Sequence, residues 1–347
     1  MEFHNKLVTW YLLNKRNLPW RVNRIPYHVW LSEIILQQTR VDQGLPYFLS
    51  FIDAFPTVFD LADAKEEQVL KLWQGLGYYS RARNLHSTAK VISANYNGVF
   101  PNTYIELIKL KGIGDYTASA ISSICFNESK AVVDGNVFRV LARYFNMDTP
   151  INSTKGIKEF KQLAQELLPS KNIGDYNQAI MELGAVVCKP QNPSCSICPL
   201  NQSCLALKND TQKDLPVKLA NNKPKTIYFN YLVVLTENKS TVIEKRLGKG
   251  IWQNLYQFPL IESAHPLTEH DLKKHPTFKK LVNDSKVELS LFNSFPIVHK
   301  LSHRTIFTNF WIVNLEQAAN VNYKWDELYQ LPVPVLIANF FKQFKIG

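Results

Sequence analysis

Long apolar runs are missing from this sequence. No stretch of its 347 residues approaches the ~18 consecutive apolar positions that a membrane-spanning helix needs. The opening Met1-Glu2-Phe3-His4-Asn5-Lys6 lacks a long apolar core and a small-residue cleavage site, so no signal peptide and a cytoplasmic location are expected. Cysteine is scarce, with five in all, which excludes the disulfide framework of a small secreted chain. Acidic residues are also in deficit, 29 against 40 Lys and Arg, for a net charge of +11. That balance points to an anionic partner, nucleic acid first. What remains is globular: 46% hydrophobic and 20% charged residues exclude a disordered chain, and the length suits two or three domains.

Four of the five cysteines lie together. Cys188, Cys195, Cys198 and Cys204 are spaced C-x6-C-x2-C-x5-C, with Pro190, Pro193 and Pro199 between them. In a reducing compartment such a group reads as metal ligands. Zinc accepts four thiolates, but structural zinc sites pair short C-x2–4-C knuckles, which the six-residue first loop fits poorly. An iron–sulfur cluster is bulkier and also takes four cysteines. Spacing alone favours the cluster and leaves zinc open. Cys125, after Ile121-Ser122-Ser123-Ile124, reads as a small core residue.

Residues 1–206 read as all-α. Apolar residues recur at helical spacing in Val29–Val41, Val69–Trp73, Leu85–Ile92, Tyr116–Ile124, Val137–Tyr144 and Phe160–Leu168. Residues 207–226 turn to Lys, Asn, Asp and Pro and read as a linker. Beyond it, Ile227–Leu235, Thr241–Arg246, Ile297–Leu301 and Thr305–Leu315 read as strands, with helices at Asp271–Val282 and Val335–Phe344. Residues 227–347 are thus expected to form a small α+β domain.

Within the helical part, Leu110-Lys111-Gly112-Ile113-Gly114-Asp115-Tyr116-Thr117 has the form of a helix–hairpin–helix. Gly112 and Gly114 let the chain turn and approach a ligand closely, and the amides opening the next helix suit a phosphate. A plain helical turn explains the same pattern. Asp134 precedes an amphipathic helix and reads first as its N-cap. Glu33, taken alone, is a polar position on a helix that also carries Gln37 and Arg40. Two such carboxylates from different helices would suit cleavage of a glycosidic bond, one protonating the leaving group and one supporting an oxocarbenium-like state. Spacing does not bring them together.

In order along the chain stand Leu18-Pro19-Trp20-Arg21, Ser32-Glu33 with Gln37-Gln38-Thr39, and Gly75-Leu76-Gly77-Tyr78-Tyr79-Ser80-Arg81. Gly112-Ile113-Gly114-Asp115-Tyr116-Thr117, Val133-Asp134-Gly135-Asn136, Met181-Glu182-Leu183-Gly184-Ala185 and the cysteine box follow. With these motifs the chain resembles the adenine-specific mismatch DNA glycosylases, the MutY family of the endonuclease III, helix–hairpin–helix superfamily. The resemblance covers nearly the whole length. It implies a multidomain protein: a helix–hairpin–helix core at about 25–133, and a cluster lobe from the N-terminal and 134–206 segments holding one [4Fe–4S] cluster. A C-terminal domain related to the Nudix fold would complete it.

The resemblance also implies roles. Glu33 would protonate adenine at N7, Asp134 would stabilise or transiently bond the sugar C1′, and Asn136 would orient Asp134. Bifunctional relatives carry a lysine at the position of Tyr116, eighteen residues before Asp134; a tyrosine has no amine for a Schiff base, so a monofunctional enzyme is expected. Adenine must first leave the stack. Gln38 and Tyr78 would wedge the gap, and Trp20, Arg21 and Glu182 would line the adenine pocket.

In the tail, Arg246-Leu247-Gly248-Lys249-Gly250-Ile251-Trp252 and Gln257-Phe258-Pro259 look like the domain's early strands and turn. No R-E-x-x-E-E run follows, so nucleotide pyrophosphatase activity, which needs clustered carboxylates for metal, is not expected. The family's lesion-reading loop, often Phe-Ser-His, is here Leu301-Ser302-His303. Ser302 and His303 keep polar groups for 8-oxoguanine, while Leu301 forgoes aromatic stacking of about 1–3 kcal/mol. A Ser-His β-turn without a ligand is the plain alternative.

The function implied is removal of adenine mispaired with 8-oxoguanine or guanine in duplex DNA, by a monomer without membrane contact and, in a bacterium, at the nucleoid. A thymine or uracil mismatch glycosylase is the second reading, against which the tail domain argues. A non-catalytic damage binder is the third, against which the two acids argue. The charge is uneven: residues 201–250 hold nine basic against four acidic side chains, a basic strap suited to salt-sensitive DNA binding.

Overall fold

The computed structural model describes residues 2–220, 223–283, 285, 287–315 and 321–344. The chain divides into two compact units, Met1–Asp63 with Asn84–Ala220, and Ala64–Arg83 with Asn221–Gly347.

The first unit is helical. Pro19 and Pro26 each occupy a first helical turn, where a missing N–H costs nothing, and open helices Pro19–Val22 and Pro26–Ile35. Helix Glu2–Asn14 buries Leu7 and Tyr11 against Val140 and Leu141 of Gly135–Tyr144 and against Tyr176, Ile180 and Leu183 of Ile173–Val186. The expected hairpin is present between helices Tyr104–Leu107 and Asp115–Phe126. Gly112 turns it in the left-handed region, φ +79°, where a Cβ would also stand 2.6 Å from Asn84 Cβ. Gly114 is the N-cap, with open space where a side chain would be.

Several elements differ from expectation. The helix read over Val29–Val41 stops at Ile35, because Leu36–Thr39 turns and Gln38 takes φ +58°; a new helix runs Val41–Ala54. Gln37 and Arg40 therefore do not continue the stripe of Glu33. Residues 207–220, read as part of a linker, pack on the first unit instead. Leu215 is buried in the first unit's core, its carbonyl accepts from Arg143 Nε at 3.0 Å, and Val217 accepts from Ile151 N at 3.0 Å. In the second unit the strand read over Thr241–Arg246 is two short ones, Ser240–Thr241 and Glu244–Lys245, with different partners. Pro276 splits the helix read over Asp271–Val282 into Glu269–Lys274 and Pro276–Val282, since it cannot supply an interior N–H.

The second unit is built on a mixed sheet. Lys225–Thr236 and Arg304–Leu315 run parallel, in register from Lys225↔Arg304 to Thr236↔Leu315. Leu260–Ser263 adds antiparallel on one side; Ile297–Leu301 and Glu288–Leu291 add antiparallel on the other. One face, with Leu232, Val234 and Val313, packs on Leu272 and Phe278 of the two short helices. On the other, Phe310 stacks on Phe340 of helix Val335–Gln343 at 4.3 Å. Alternation along the strands serves both faces. Helix Glu66–Leu72 joins this unit through polar ties. Glu67 Oε1 accepts from Lys245 Nζ at 2.9 Å and from Tyr256 Oη at 2.6 Å, and Glu66 Oε1 accepts from Asn254 Nδ2 at 2.6 Å.

If residues 207–220 are part of the helical core, Leu215→Ala lowers the unfolding free energy by about 2–3 kcal/mol, measured by urea titration. A surface linker would give a change near zero.

Candidate active site

In the first unit, a cavity of about 170 Å³ collects side chains from segments far apart in the chain. It is lined by Glu33, Tyr116, Asp134, Asn136, Trp20, Arg21 and Glu182, so seven residues singled out in the sequence converge on one space.

Asp134 is the N-cap of helix Gly135–Tyr144, as its position implied. Its Oδ1 accepts from Asn136 N at 2.9 Å and Val137 N at 2.8 Å, and its Oδ2 accepts from Asn136 Nδ2 at 2.7 Å. Capping thus aims the carboxylate rather than competing with another role. Burial nonetheless raises its pKa, against the pull of those donors. Arg139 extends the arrangement: it donates to Asn136 Oδ1 at 2.8 Å and to the carbonyls of Gly184 at 2.8 Å and Cys188 at 2.7 Å.

Glu33 faces Tyr116. The Tyr116 hydroxyl, kept protonated by burial and by the neighbouring Glu33, donates to Glu33 Oε2 at 2.6 Å. Burial pushes the Glu33 pKa up to about 7; the Tyr116 bond opposes the rise and the Asp134 charge adds to it. A carboxyl poised there carries a transferable proton at neutral pH.

Glu182 sits in the cavity wall with its carboxylate fully engaged. Arg16 grips it in bidentate fashion, Nε and Nη2 each at 2.7 Å, and Arg21 Nη2 adds a bond at 2.8 Å. Burial alone would raise its pKa, but the two arginines outweigh it and hold it at about 2. Arg21 also lies over the Tyr11 ring at 5.7 Å, and Trp20 meets Phe48 edge-on at 5.0 Å. Gln178 lines the same cavity and was not picked out in the sequence. It lies one helical turn before Glu182, on the same face of Ile173–Val186, and accepts the Tyr11 hydroxyl at Oε1, 3.0 Å. The i, i+4 relation to Glu182 was the available signal. Arg16 and Tyr11 were likewise missed, because nothing local marks a terminal helix as a wall of the site.

Gln38 is exposed on its left-handed turn, outside this lining. Tyr78, Leu301, Ser302 and His303 belong to the second unit, where they line a separate cavity of about 280 Å³ with Trp252 and Arg83. Ser302 and His303 form the exposed two-residue turn between Leu301 and its ladder partner Arg304. Cys125 is half-buried, and burial pushes its thiol up to about 12.

The four clustered cysteines follow helix Ile173–Val186, and all are half-buried. Burial raises the thiols of Cys195, Cys198 and Cys204, and the nearby Cys188 adds to each shift. Among the described residues no group of three His, Cys, Asp or Glu closes around a single ion. Four cysteines are the ligand set that an iron–sulfur cluster takes. Arg143 braces the loop by donating to Cys188 Sγ at 3.4 Å and to the carbonyls of Lys189 and Pro190 at 2.8 and 3.1 Å.

These features define a class, the iron–sulfur helix–hairpin–helix DNA glycosylases. Residues 31–170 match the HhH-GPD superfamily base excision DNA repair proteins, 188–204 the iron–sulfur binding domain of endonuclease III, and 230–343 the NUDIX domain. A [4Fe–4S] cluster belongs to the 188–204 segment. Among solved structures, a thermostable thymine-DNA glycosylase is similar at 27% identity and TM-score 0.55, covering 60% of this chain and 95% of that one. An endonuclease III in a non-covalent DNA complex shares the fold at 22% identity and TM-score 0.52, covering 61% and 96%. Curated relatives are more specific. An adenine DNA glycosylase of Buchnera aphidicola subsp. Baizongia pistaciae is 37% identical over 90% of this chain and 86% of its own. That of the Acyrthosiphon pisum subspecies is 34% identical over 98% of each, and the human one is 43% identical over 61% of this chain and 41% of its own. The chain belongs to the adenine DNA glycosylase family.

The Glu182 cluster sets a stability test. Glu182→Gln leaves two arginines facing a neutral group and lowers the unfolding free energy by about 3 kcal/mol, the low end for a broken buried pair because Arg16 is partly exposed. Calorimetry or urea titration reads it; an unchanged stability would mean that Arg16 and Arg21 are satisfied elsewhere.

Proposed function

We propose that this protein is a monofunctional adenine DNA glycosylase of base excision repair, acting on adenine paired with 8-oxoguanine or guanine in duplex DNA. The observation that carries the chemistry is the Tyr116–Glu33 hydrogen bond at 2.6 Å beside Asp134, with the Glu33 pKa pushed up to about 7.

The geometry performs the reaction as follows. Adenine, turned out of the stack, enters the cavity between Trp20 and the Glu33 wall. Glu33, protonated, gives its proton to adenine N7 as the C1′–N9 bond breaks, and the bond pair leaves with the base. The sugar gains positive charge, which Asp134 opposes from its fixed N-cap position while Asn136 holds its second oxygen. Water then bonds to C1′ and loses a proton to the Glu33 carboxylate, which restores the acid. Tyr116 holds Glu33 in place. As a phenol with a raised pKa it offers no amine, so no Schiff base forms and the DNA strand is not cut through it.

Recognition of the base falls to groups already held. Arg21 is fixed by Glu182 and Tyr11, and Gln178 has its oxygen occupied by Tyr11, which leaves its amide N–H groups for an acceptor on the purine edge. Glu182 acts as the clamp behind Arg21 rather than as a direct reader. In the second unit, Ser302 and His303 read the opposite base beside Leu301, and Tyr78 wedges the stack; Gln38, exposed on its turn, fills the gap. Gly114 leaves the hairpin amides open to a phosphate. Cys188, Cys195, Cys198 and Cys204 would hold the [4Fe–4S] cluster, on the loop that Arg139 and Arg143 brace. A monomer in the cytoplasm, at the nucleoid of a bacterium, completes the reading.

A duplex panel tests this. Labelled DNA with A opposite 8-oxoguanine, G or T, and T or U opposite G, yields alkali-labile sites only at adenine. Asp134→Asn binds the A:8-oxoguanine duplex while excision falls below about one thousandth, and borohydride traps no adduct. Excision of T or U, or activity retained without Asp134, would contradict the assignment.

A further inference from the structure

An acid stands at the mouth of the hairpin. Asp115 is the first residue of helix Asp115–Phe126, directly after its N-cap Gly114. The amides of that first turn have no partner within the helix, and glycine has no side chain to cap them. A helix N-terminus favours a carboxylate, but one placed there also repels a docking phosphate. The Asp115 oxygens are committed to other elements of the first unit. Oδ1 accepts from Tyr104 Oη and Oδ2 from Lys161 Nζ, both at 2.8 Å. Partial burial works against its charge, yet Lys161 and Tyr104, with Lys130 nearby, hold its pKa below the usual carboxylate range.

The two partners are themselves anchored. Tyr104 N donates to Glu128 Oε2 at 2.6 Å, and Lys130 Nζ lies 4.3 Å from the centre of the Tyr104 ring. Lys161 projects from helix Thr154–Glu166 beside Phe160, which is buried in the first unit's core. The Lys161 and Asp115 side chains are 42% and 47% exposed, so their ion pair adds little to the fold and stands open to a polymer outside.

We propose that Lys161 is a further DNA-phosphate contact, and that Asp115 is the anion that occupies it in the free protein until a phosphate displaces it. The proposal rests on the reading above, in which the hairpin amides take a DNA phosphate. Docking there brings a second anion beside Asp115, and the lysine exchanges its carboxylate for the phosphate. Tyr104 keeps its bond to the released carboxylate and holds it off the amides. Each such docking therefore costs an ion pair. Phosphate contacts carry no sequence information, so the cost falls on matched and mismatched duplexes alike and loosens the hold on undamaged DNA.

Anisotropy titrations of a labelled, fully matched duplex with the cluster-loaded chain, at about 50 to 200 mM salt, test the exchange. Asp115→Asn frees Lys161: binding tightens about two- to fivefold, the size of an exposed ion pair, and the log–log salt slope steepens by about one. Lys161→Ala loosens binding and makes the slope shallower. Without Lys161, adding Asp115→Asn tightens binding only as far as Glu106→Gln does, the control for an acid lost from another exposed pair of the hairpin. Gly114→Asp tests the hairpin itself: an N-cap acid occupies the first-turn amides, in an extended backbone that it accepts, and loosens binding. A gain in Asp115→Asn that only equals that of Glu106→Gln, or that survives whole without Lys161, overturns the exchange. Weaker binding in Asp115→Asn overturns it as well. Unchanged binding in Gly114→Asp overturns the hairpin reading and the proposal with it, whereas loss there without a gain in Asp115→Asn overturns the exchange alone.

Discussion

The chemistry proposed for the first unit depends on one carboxyl, that of Glu33. Glu33 is drawn out of water by the helices around it, and that burial, more than any charged neighbour, lifts its pKa to about 7. Tyr116 works against the rise while fixing the carboxyl's position. The opposition is useful, because a carboxyl raised too far would hold its proton, and one not raised would have none to give. Asp134 is treated differently. It too is buried, but three hydrogen-bond donors surround it and Arg139 lies beyond Asn136. Burial raises both acids on the cavity, while the three donors around Asp134 favour its charged form, the one an electrostatic stabiliser needs.

The cavity walls follow the same logic of prior commitment. Arg16 and Arg21 are spent on Glu182, Tyr11 on Gln178, and Asn136 on Asp134. Few of these side chains must reorganise when a base enters, which keeps the entropic cost of recognition low. The cysteine loop joins this frame through Arg139, whose guanidinium reaches both Asn136 and the Cys188 carbonyl. The cluster loop and the Asp134 cap therefore share a single arginine.

Much of the site was legible in the sequence because its residues sit at local motifs. Asp134 before an amphipathic helix, Tyr116 after the two hairpin glycines, and the cysteine spacing each carry a signal within a few residues. Gln178 carries only its i, i+4 relation to Glu182, and Arg16 and Tyr11 carry none, since their roles arise from hydrogen bonds to residues more than 160 positions away. The fold was legible in class but not in partition. Val69–Trp73 read as one more helix of the first part, yet Glu66 and Glu67 at its start tie to Asn254, Lys245 and Tyr256 of the second unit. Such long-range polar bonds leave no periodic trace. The helix ending at Ile35 was over-extended for a related reason: apolar spacing continued to Val41 while the backbone turned at Gln38.

The central claim is that Glu33 supplies the proton, and the pH dependence of single-turnover adenine excision tests it most directly. The protonated form is the active one and its pKa lies at about 7, so the rate is high below that value and falls as pH rises through it. Well above it the fall approaches tenfold per pH unit. A rate that stays flat between about pH 6 and 9, or that rises with pH, would contradict the account.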